Sequence, residues 1–303
     1  MVTILISGGT GLVGRHLCKK LKEKGYAVAI LSRTSKQDAD IPTYYWNLEK
    51  NEIEKEALET ADYIIHLAGA NIGDKRWTTK RRQLIIDSRV KTCGLIFDKI
   101  KESRIKLKAF ISASAVGYYG AITSDKIFTE IDPAANDFLG KTCKLWEQSA
   151  DRFNELGIRT VKIRTGIVLT KHGGALAKMI TPIKIGIGSA LGKGRQYLPW
   201  IHIHDLCGIY IKAIEDAQMH GAYNAVAPDH KTNRDFMRTL ARVLKKPFWF
   251  PDIPSIVLKI MFGKMSEMFL KGSRVSSDKI RKAGYNFRFP DLESALTDLF
   301  KEN

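Results

Sequence analysis

The chain has 303 residues, 44% of them hydrophobic, and carries 49 lysines and arginines against 32 aspartates and glutamates, a formal net charge of +17. That apolar content supports a packed core of one large or two modest domains and excludes a disordered chain. The basic residues fall in short scattered groups such as Lys19-Lys20, Arg81-Arg82 and Lys245-Lys246, without zinc-finger spacing or an RNA-stacking motif. The excess charge therefore reads as a solvated surface that attracts an anionic cofactor, with no nucleic-acid partner expected.

The first element is a short apolar run, Val2 to Ile6, suited to a buried parallel strand. Gly8-Gly9-Thr10-Gly11-Leu12-Val13-Gly14 follows, where that strand has to turn into a helix beginning near Leu12. Both Gly8/Gly11/Gly14 and Gly9/Gly11/Gly14 fit a dinucleotide-binding spacing. The first glycine permits the tight turn, Gly11 lets a pyrophosphate approach the backbone, and Gly14 lets the helix sit close on the strand. The helix N-terminus then offers its free N–H groups to phosphate. A second strand, Ala27 to Arg33, closes the βαβ unit, and its end carries Ser32 and Arg33 with Lys36 close behind. A carboxylate there would bind the ribose 2′-hydroxyl of NAD; a hydroxyl and a guanidinium suit a 2′-phosphate, so NADP(H) is the expected cofactor.

Strand and helix signals continue to alternate: a strand over 61–69, a helix over 78–101, a strand over 109–114, a helix over 142–156 and a strand over 159–164. Such alternation implies an α/β fold, a doubly wound parallel sheet with right-handed crossovers and its ligand at the carboxyl ends of the strands. Gly8 to Gly14, Ser32 with Arg33, Leu67 to Ala70 and Ser112 to Tyr119 should then share one rim. Beyond Leu169 the glycines at 173, 174, 186, 188, 192 and 194 mark a looser stretch, read as a substrate-side excursion over about 170–200. A helix over 203–217 and a strand over 221–226 return to the sheet. The tail from Thr232 is helical, interrupted by Pro247, Pro251 and Pro254, and ends in a helix over 292–300. The expected division is 1–230 for the nucleotide-binding domain and 231–303 for a smaller, mostly helical one.

Cys18, Cys93, Cys143 and Cys207 are widely separated and form no C-x-x-C pair, which suits small buried residues in a reducing compartment. The apolar stretch around Ile253 to Phe262 is too short to span a bilayer, and no leader segment is evident. A cytoplasmic protein without a membrane partner is expected. His202-Ile203-His204-Asp205 lacks a clear third ligand for a metal site, so no metal is expected and His202 is read as a hydrogen-bond donor in the substrate pocket.

Together these segments resemble the extended short-chain dehydrogenase/reductase superfamily, and within it an atypical group of NAD-dependent epimerase/dehydratase family proteins with a C-terminal domain of unknown function (DUF1731). Residues 8–14 resemble the family's cofactor loop. His66-Leu67-Ala68-Gly69-Ala70-Asn71-Ile72, Lys75-Arg76-Trp77, Asp87-Ser88-Arg89, Ser112 to Gly120, Arg164 to Leu169, Gly192 to Gln196 and Trp200 to Ile203 are similar to successive family motifs. Arg274-Val275, Ala283-Gly284-Tyr285 and Phe289 to Leu292 are similar to its small C-terminal domain, so the resemblance covers nearly the whole chain. It implies a Rossmann-type fold and an NADP(H) site with contacts from the glycine loop, including Thr10, Leu12 and Val13, and from Ser32, Arg33, Leu67, Ala68, Arg89 and Val168.

The implied chemistry departs from the superfamily at one place. Ordinary members pair a serine at the end of the fifth strand with a tyrosine and a lysine four residues later on the next helix. Ser114 matches the serine, but Leu139 falls at the tyrosine position and Cys143 at the lysine position. Tyr118 is the substitute acid on this rim, with Ser114 orienting a substrate oxygen and Lys141 or Lys144 as the neighbouring charge. The expected function is that of an NADP(H)-dependent oxidoreductase or epimerase-like enzyme acting on a small polar substrate, a sugar nucleotide among the candidates. The alternative is a catalytically inactive NADP(H)-binding sensor or interaction protein.

Overall fold

The computed structural model describes residues 1–34, 40–171 and 173–301, so Lys36 lies outside the described residues. The first half builds β1 (Thr3–Ser7), α1 (Leu12–Glu23), β2 (Ala27–Ser32), β3 (Thr43–Asn47), β4 (Glu52–Ile53), α2 (Lys55–Glu59), β5 (Tyr63–His66), α3 (Thr79–Ser103) and β6 (Ala109–Ala115). Next come β7 (Ile127–Phe128), α4 (Phe138–Asp151), β8 (Arg159–Thr165), β9 (Ile167–Leu169), α5 (Gly174–Lys184), β10 (Trp200–His202), α6 (Ile203–Glu215) and β11 (Gly221–Ala225). The remainder holds α7 (Asn233–Val243), α8 (Ser255–Phe262), α9 (Glu267–Leu270), β12 (Arg274–Val275), α10 (Asp278–Lys282) and α11 (Leu292–Phe300).

The main sheet has eight strands in the order β11-β8-β6-β5-β1-β2-β3-β4, parallel except for the antiparallel β3–β4 edge. From β1 the chain works outward through β2 and β3, then crosses to the other side of β1 at β5. That reversal between β1 and β5 is the switch point at which a doubly wound sheet opens a crevice for ligand. The pleat sends Ile4 and Ile6 to one face with Leu17 and Leu21 of α1 and Ile203 and Leu206 of α6; Leu5 goes to the other with Ile96 and Phe97 of α3. Both faces are covered by helices, which is why these strands are continuous apolar runs and not alternating ones.

Three local expectations are corrected. Helix α4 begins at Phe138, not near Thr142, because Asp137 Oδ1 accepts from Gly140 N at 2.8 Å and caps it. The stretch after Leu169 is not simply loose: α5 forms there with Leu176, Ile180 and Ile183 buried, although Pro182 lies inside it. His202, expected in a substrate pocket, is the fully buried last residue of β10 and the N-cap of α6.

The C-terminal tail is tied to the sheet through a buried carboxylate. Asp205 of α6 accepts from Arg288 N at 2.8 Å, Phe289 N at 3.0 Å and the Tyr285 hydroxyl at 3.0 Å. Strand β12 pairs with β7, and α11 packs with α5 and α7 in a separate apolar cluster that includes Trp200 and Phe236. No helix among the described residues is long and apolar enough to cross a membrane.

Candidate nucleotide-binding site

The glycine turn links β1 to α1 at the switch point. Gly8 has φ +77°, and a Cβ there would lie 2.9 Å from Leu67 C and Ala68 N at the end of β5. Gly14 is equally constrained: a Cβ would come 2.4 Å from Gly8 O and 2.6 Å from Gly9 Cα. Gly8 is therefore the residue of the tight turn, whereas Gly9 faces the Ile30 side chain, where a Cβ would come within 2.7 Å. Gly11 N closes the turn on Gly8 O at 3.0 Å. Gly11 is also the N-cap of α1, and it supplies no side-chain acceptor; the first turn carries no acidic residue. Thr10 and Gly11 are exposed. The α1 terminus thus presents backbone N–H groups and the positive end of the helix dipole to the crevice.

The structure gathers the other candidates around this turn. Leu67 and Ala68 are half-buried at the end of β5, and Ser32 ends β2 next to exposed Arg33. Leu12 meets the turn at Gly173-Gly174, where a Cβ on Gly174 would lie 3.0 Å from Leu12 Cδ2 and 3.9 Å from Val168 O. Val13 packs against the sheet core with Val168. Arg89 lies half-buried on α3, its Nη1 donating to Ile85 O at 2.9 Å and its Cζ 4.9 Å from the Trp146 ring centre. Burial lowers its pKa, and it borders Gly69, where a Cβ would meet Arg89 Cζ at 3.1 Å. A half-buried cation of this kind beside the rim suits a phosphate or ribose oxygen better than a surface carboxylate. An open helix terminus, a close-approach glycine turn and Arg89 at one crevice fit the phosphates and riboses of a dinucleotide.

Below the rim lies a buried polar network. Ser114 Oγ donates to Glu147 Oε1 at 2.7 Å, and Ser114 is 2% exposed. Glu147 holds Arg164 through Nε at 2.8 Å and Nη2 at 2.9 Å. Arg164 Nη1 donates to the Tyr119 hydroxyl, which donates to Asn224 Oδ1 at 2.7 Å; Asn224 Nδ2 donates in turn to Ser276 O at 3.1 Å. Burial works against the charge on Arg164, but the bonds to Glu147 outweigh it and raise its pKa. Tyr118, half-buried, stacks on Arg164.

The cation beside Tyr118 is accordingly Arg164 from β8, and not Lys141 or Lys144, both of which are exposed on α4. Leu139 and Cys143 pack beneath Gly117, within 3.5 and 3.7 Å of where its Cβ would be, and burial pushes the Cys143 thiol up to about 12. Neither is a proton carrier there. His202 is fully buried, its Nδ1 accepting from His204 N at 3.2 Å, and its ring lies 4.0 Å from that of Phe289. It is a helix cap in the core, which removes it from any substrate pocket. Among the described residues no group of three or more His, Cys, Asp or Glu side chains could hold a metal ion.

A cavity of about 210 Å³ opens beside Leu139, lined by Trp77, Arg82, Phe138, Lys264 and Glu267 among others. Arg82 stacks over Phe138 at 4.9 Å, and Asp137, also in the wall, has both carboxylate oxygens occupied by Gly140 N and Ala121 N. The wall draws on α3, α4 and the segment after α8, so it joins the sheet to the C-terminal tail. Sequence reading missed Glu147, Arg164 and Arg82. Neither Glu147 nor Arg164 stands out locally, since α4 and β8 each carry several other polar and charged residues.

A parallel sheet with its glycine turn at the switch point defines a Rossmann-type nucleotide-binding protein. The model of the NAD dependent epimerase/dehydratase family matches residues 4–225, and that of a Domain of unknown function (DUF1731) matches residues 253–299. The chain belongs to the NAD dependent epimerase/dehydratase family. It is 37% identical over 303 residues to the epimerase family protein YfhF of Bacillus subtilis, covering 99% of each chain. It is 34% identical over 304 residues to an epimerase family protein of Staphylococcus aureus, covering 100% of each. Among solved structures it is similar to human epimerase family protein SDR39U1 (isoform 2) with NADPH, with a TM-score of 0.88 and 31% identity over 98% of this chain and 99% of that one.

Proposed function

We propose that the chain binds NADP(H) at the α1 turn and acts as an oxidoreductase or epimerase-like enzyme on a small polar substrate seated in the cavity beside Leu139. The observation that carries this reading is the α1 N-terminus, uncapped and free of acidic residues, at the β1–β5 switch point. Backbone N–H groups there hold the pyrophosphate, Ser32 and Arg33 take the 2′-phosphate, and Leu67, Ala68, Arg89 and Val168 border the riboses and rings. The human relative described with NADPH, 31% identical over nearly its whole length, supports the same cofactor. Four buried free cysteines suit a reducing, cytoplasmic setting.

When bound, the nicotinamide supplies or accepts hydride. Tyr118 then exchanges the proton with the substrate oxygen, its ring held by the stacked Arg164, and Ser114 and Glu147 keep Arg164 in place. Trp77, Phe138 and Leu139 exclude water from the apolar side of the cavity, and Arg82 and Lys264 meet polar groups of the substrate.

The test is NADPH and NADH titration by fluorescence, followed by a screen of carbonyl compounds for loss of the reduced-nicotinamide absorbance and of sugar nucleotides for conversion to the epimer. Binding of NADPH with turnover that Tyr118→Phe abolishes is the expected result; no binding of either cofactor overturns the reading. A second reading, an NADP(H) sensor without catalysis, is favoured by the apolar Leu139 and Cys143 and by the engagement of the Ser114 hydroxyl with Glu147. It requires tight NADPH binding with no turnover across the screen.

A further inference from the structure

Helix α8 turns its apolar side chains outward. Ile256, Ile260 and Met261 are 60%, 69% and 57% exposed, Val257 is exposed beside them, and Leu258 is the buried residue of the helix. Ile256 with Ile260, and Val257 with Met261, are pairs four residues apart, so they form one continuous strip. The segment leading into α8 adds Trp249, 70% exposed, and Phe250, whose rings lie 5.8 Å apart. Single exposed apolar residues are ordinary, but a run of this size marks an interaction surface.

The charge around the strip is one-sided. Lys245, Lys246 and Lys259 are exposed, and the single acid in residues 245–261, Asp252, is bound by Arg234. The helix is also held firmly from behind, because Arg76 donates to the carbonyl oxygens of Ile260 and Met261. A fixed helix thus presents Ile, Val and Met side chains, and the segment before it Trp249 and Phe250, with exposed lysines in the same stretch, on a molecule of net charge +17.

From this juxtaposition we propose that the segment from Lys245 to Met261 docks the protein onto an anionic lipid surface. Apolar side chains enter the headgroup region, Trp249 sits at the interface, and the lysines pair with lipid phosphates. The eight residues of α8 are too short to cross a bilayer, which bears on spanning and leaves surface binding open. A second copy of the chain fits less well. An isologous contact would set the lysines of one strip against those of the other on two strongly cationic molecules.

The experiment is co-flotation of the full-length protein with vesicles of phosphatidylcholine alone and of phosphatidylcholine with about one-third phosphatidylglycerol. Binding to the anionic vesicles is expected to exceed that to the neutral ones by about tenfold or more and to fall as salt is raised. The Ile256→Glu/Ile260→Glu variant changes exposed positions, so its thermal melt should match the parent while its binding drops by about tenfold or more. Lys259→Gln, which keeps the apolar strip, should weaken binding about fivefold. Absence of binding to anionic vesicles overturns the proposal, as does undiminished binding by the Ile256→Glu/Ile260→Glu variant. A dimer in solution that the same variant dissolves also overturns it, because the strip is then a contact between copies.

Discussion

The Arg164 guanidinium carbon lies 3.5 Å from the centre of the Tyr118 ring, while its Nε and Nη2 are held by the two oxygens of Glu147. One buried cation thereby joins β8, α4 and the turn after β6, and it reaches the position that an exposed lysine on α4 does not.

Breaking that pair from one side should be costly. Arg164 and Glu147 are 3% and 5% exposed, so Glu147→Ala strands a buried guanidinium and is expected to lower unfolding stability by about 3–5 kcal/mol in urea titrations. Replacing both partners, Glu147→Met with Arg164→Met, should recover most of the loss, because neither charge is then left unpaired. A double variant no more stable than Glu147→Ala would show that the network holds the fold by something other than the ion pair.

The glycine turn makes a sharper demand. Ala at position 14 would press its Cβ against the Gly8 carbonyl, where 2.4 Å is available. Gly14→Ala is expected to cost about 1–3 kcal/mol and to displace the α1 terminus, with NADPH affinity falling more than stability alone explains. Comparing the melt with the fluorescence titration of the same variant separates the two effects.

Cofactor choice should rest on Arg33. A charge-assisted bond to a 2′-phosphate is worth about 1.5–3 kcal/mol, so Arg33→Ala should weaken NADPH binding by roughly ten- to a hundredfold and leave NADH nearly unchanged. Equal losses for both cofactors would place the 2′-phosphate elsewhere.

Acid should destabilise the protein through two core histidines. Burial pushes His66 down to about 4 and His202 down to about 3, with the neighbouring His204 adding to the effect on His202. In the unfolded chain each takes up a proton near pH 6.5, while the folded chain stays neutral there. The unfolded state thus binds more protons below that pH, and stability falls as pH drops from about 6.5 toward 4, by up to roughly 1.4 kcal/mol per pH unit for each histidine. His66→Gln should flatten that slope by up to about half in denaturation curves run from pH 7 to pH 5. An unchanged slope would assign the acid sensitivity to other groups.

Much of the fold is readable along the chain because parallel strands buried on both faces are plain apolar runs, and because Gly8 to Gly14 meets a local steric demand. Helix α3, expected over 78–101, forms over Thr79–Ser103 with Thr78 as its cap. What escaped depends on partners distant in sequence. Glu147 reads as an ordinary helical carboxylate until β8 sets Arg164 against it, and Lys141 and Lys144 look equally suitable until α4 turns them to solvent. His202 reads as a pocket residue until Phe289, from the last turns of the chain, covers it. Helix α5 was obscured by flanking glycines and by Pro182, both of which argue locally against a helix that tertiary burial of Leu176 and Ile183 sustains.

Asp205 has a consequence for synthesis. Its donors lie 80 residues further on at Tyr285 and 84 further on at Phe289, so until those residues are made the Asp205 carboxylate lacks the hydrogen bonds that offset its burial in the finished fold. The eight strands of the sheet are all made by Ala225, but the buried end of α6 is sealed only when translation is almost over, and a message cut short before the Phe289 codon yields a product whose Asp205 lacks a native hydrogen-bond donor.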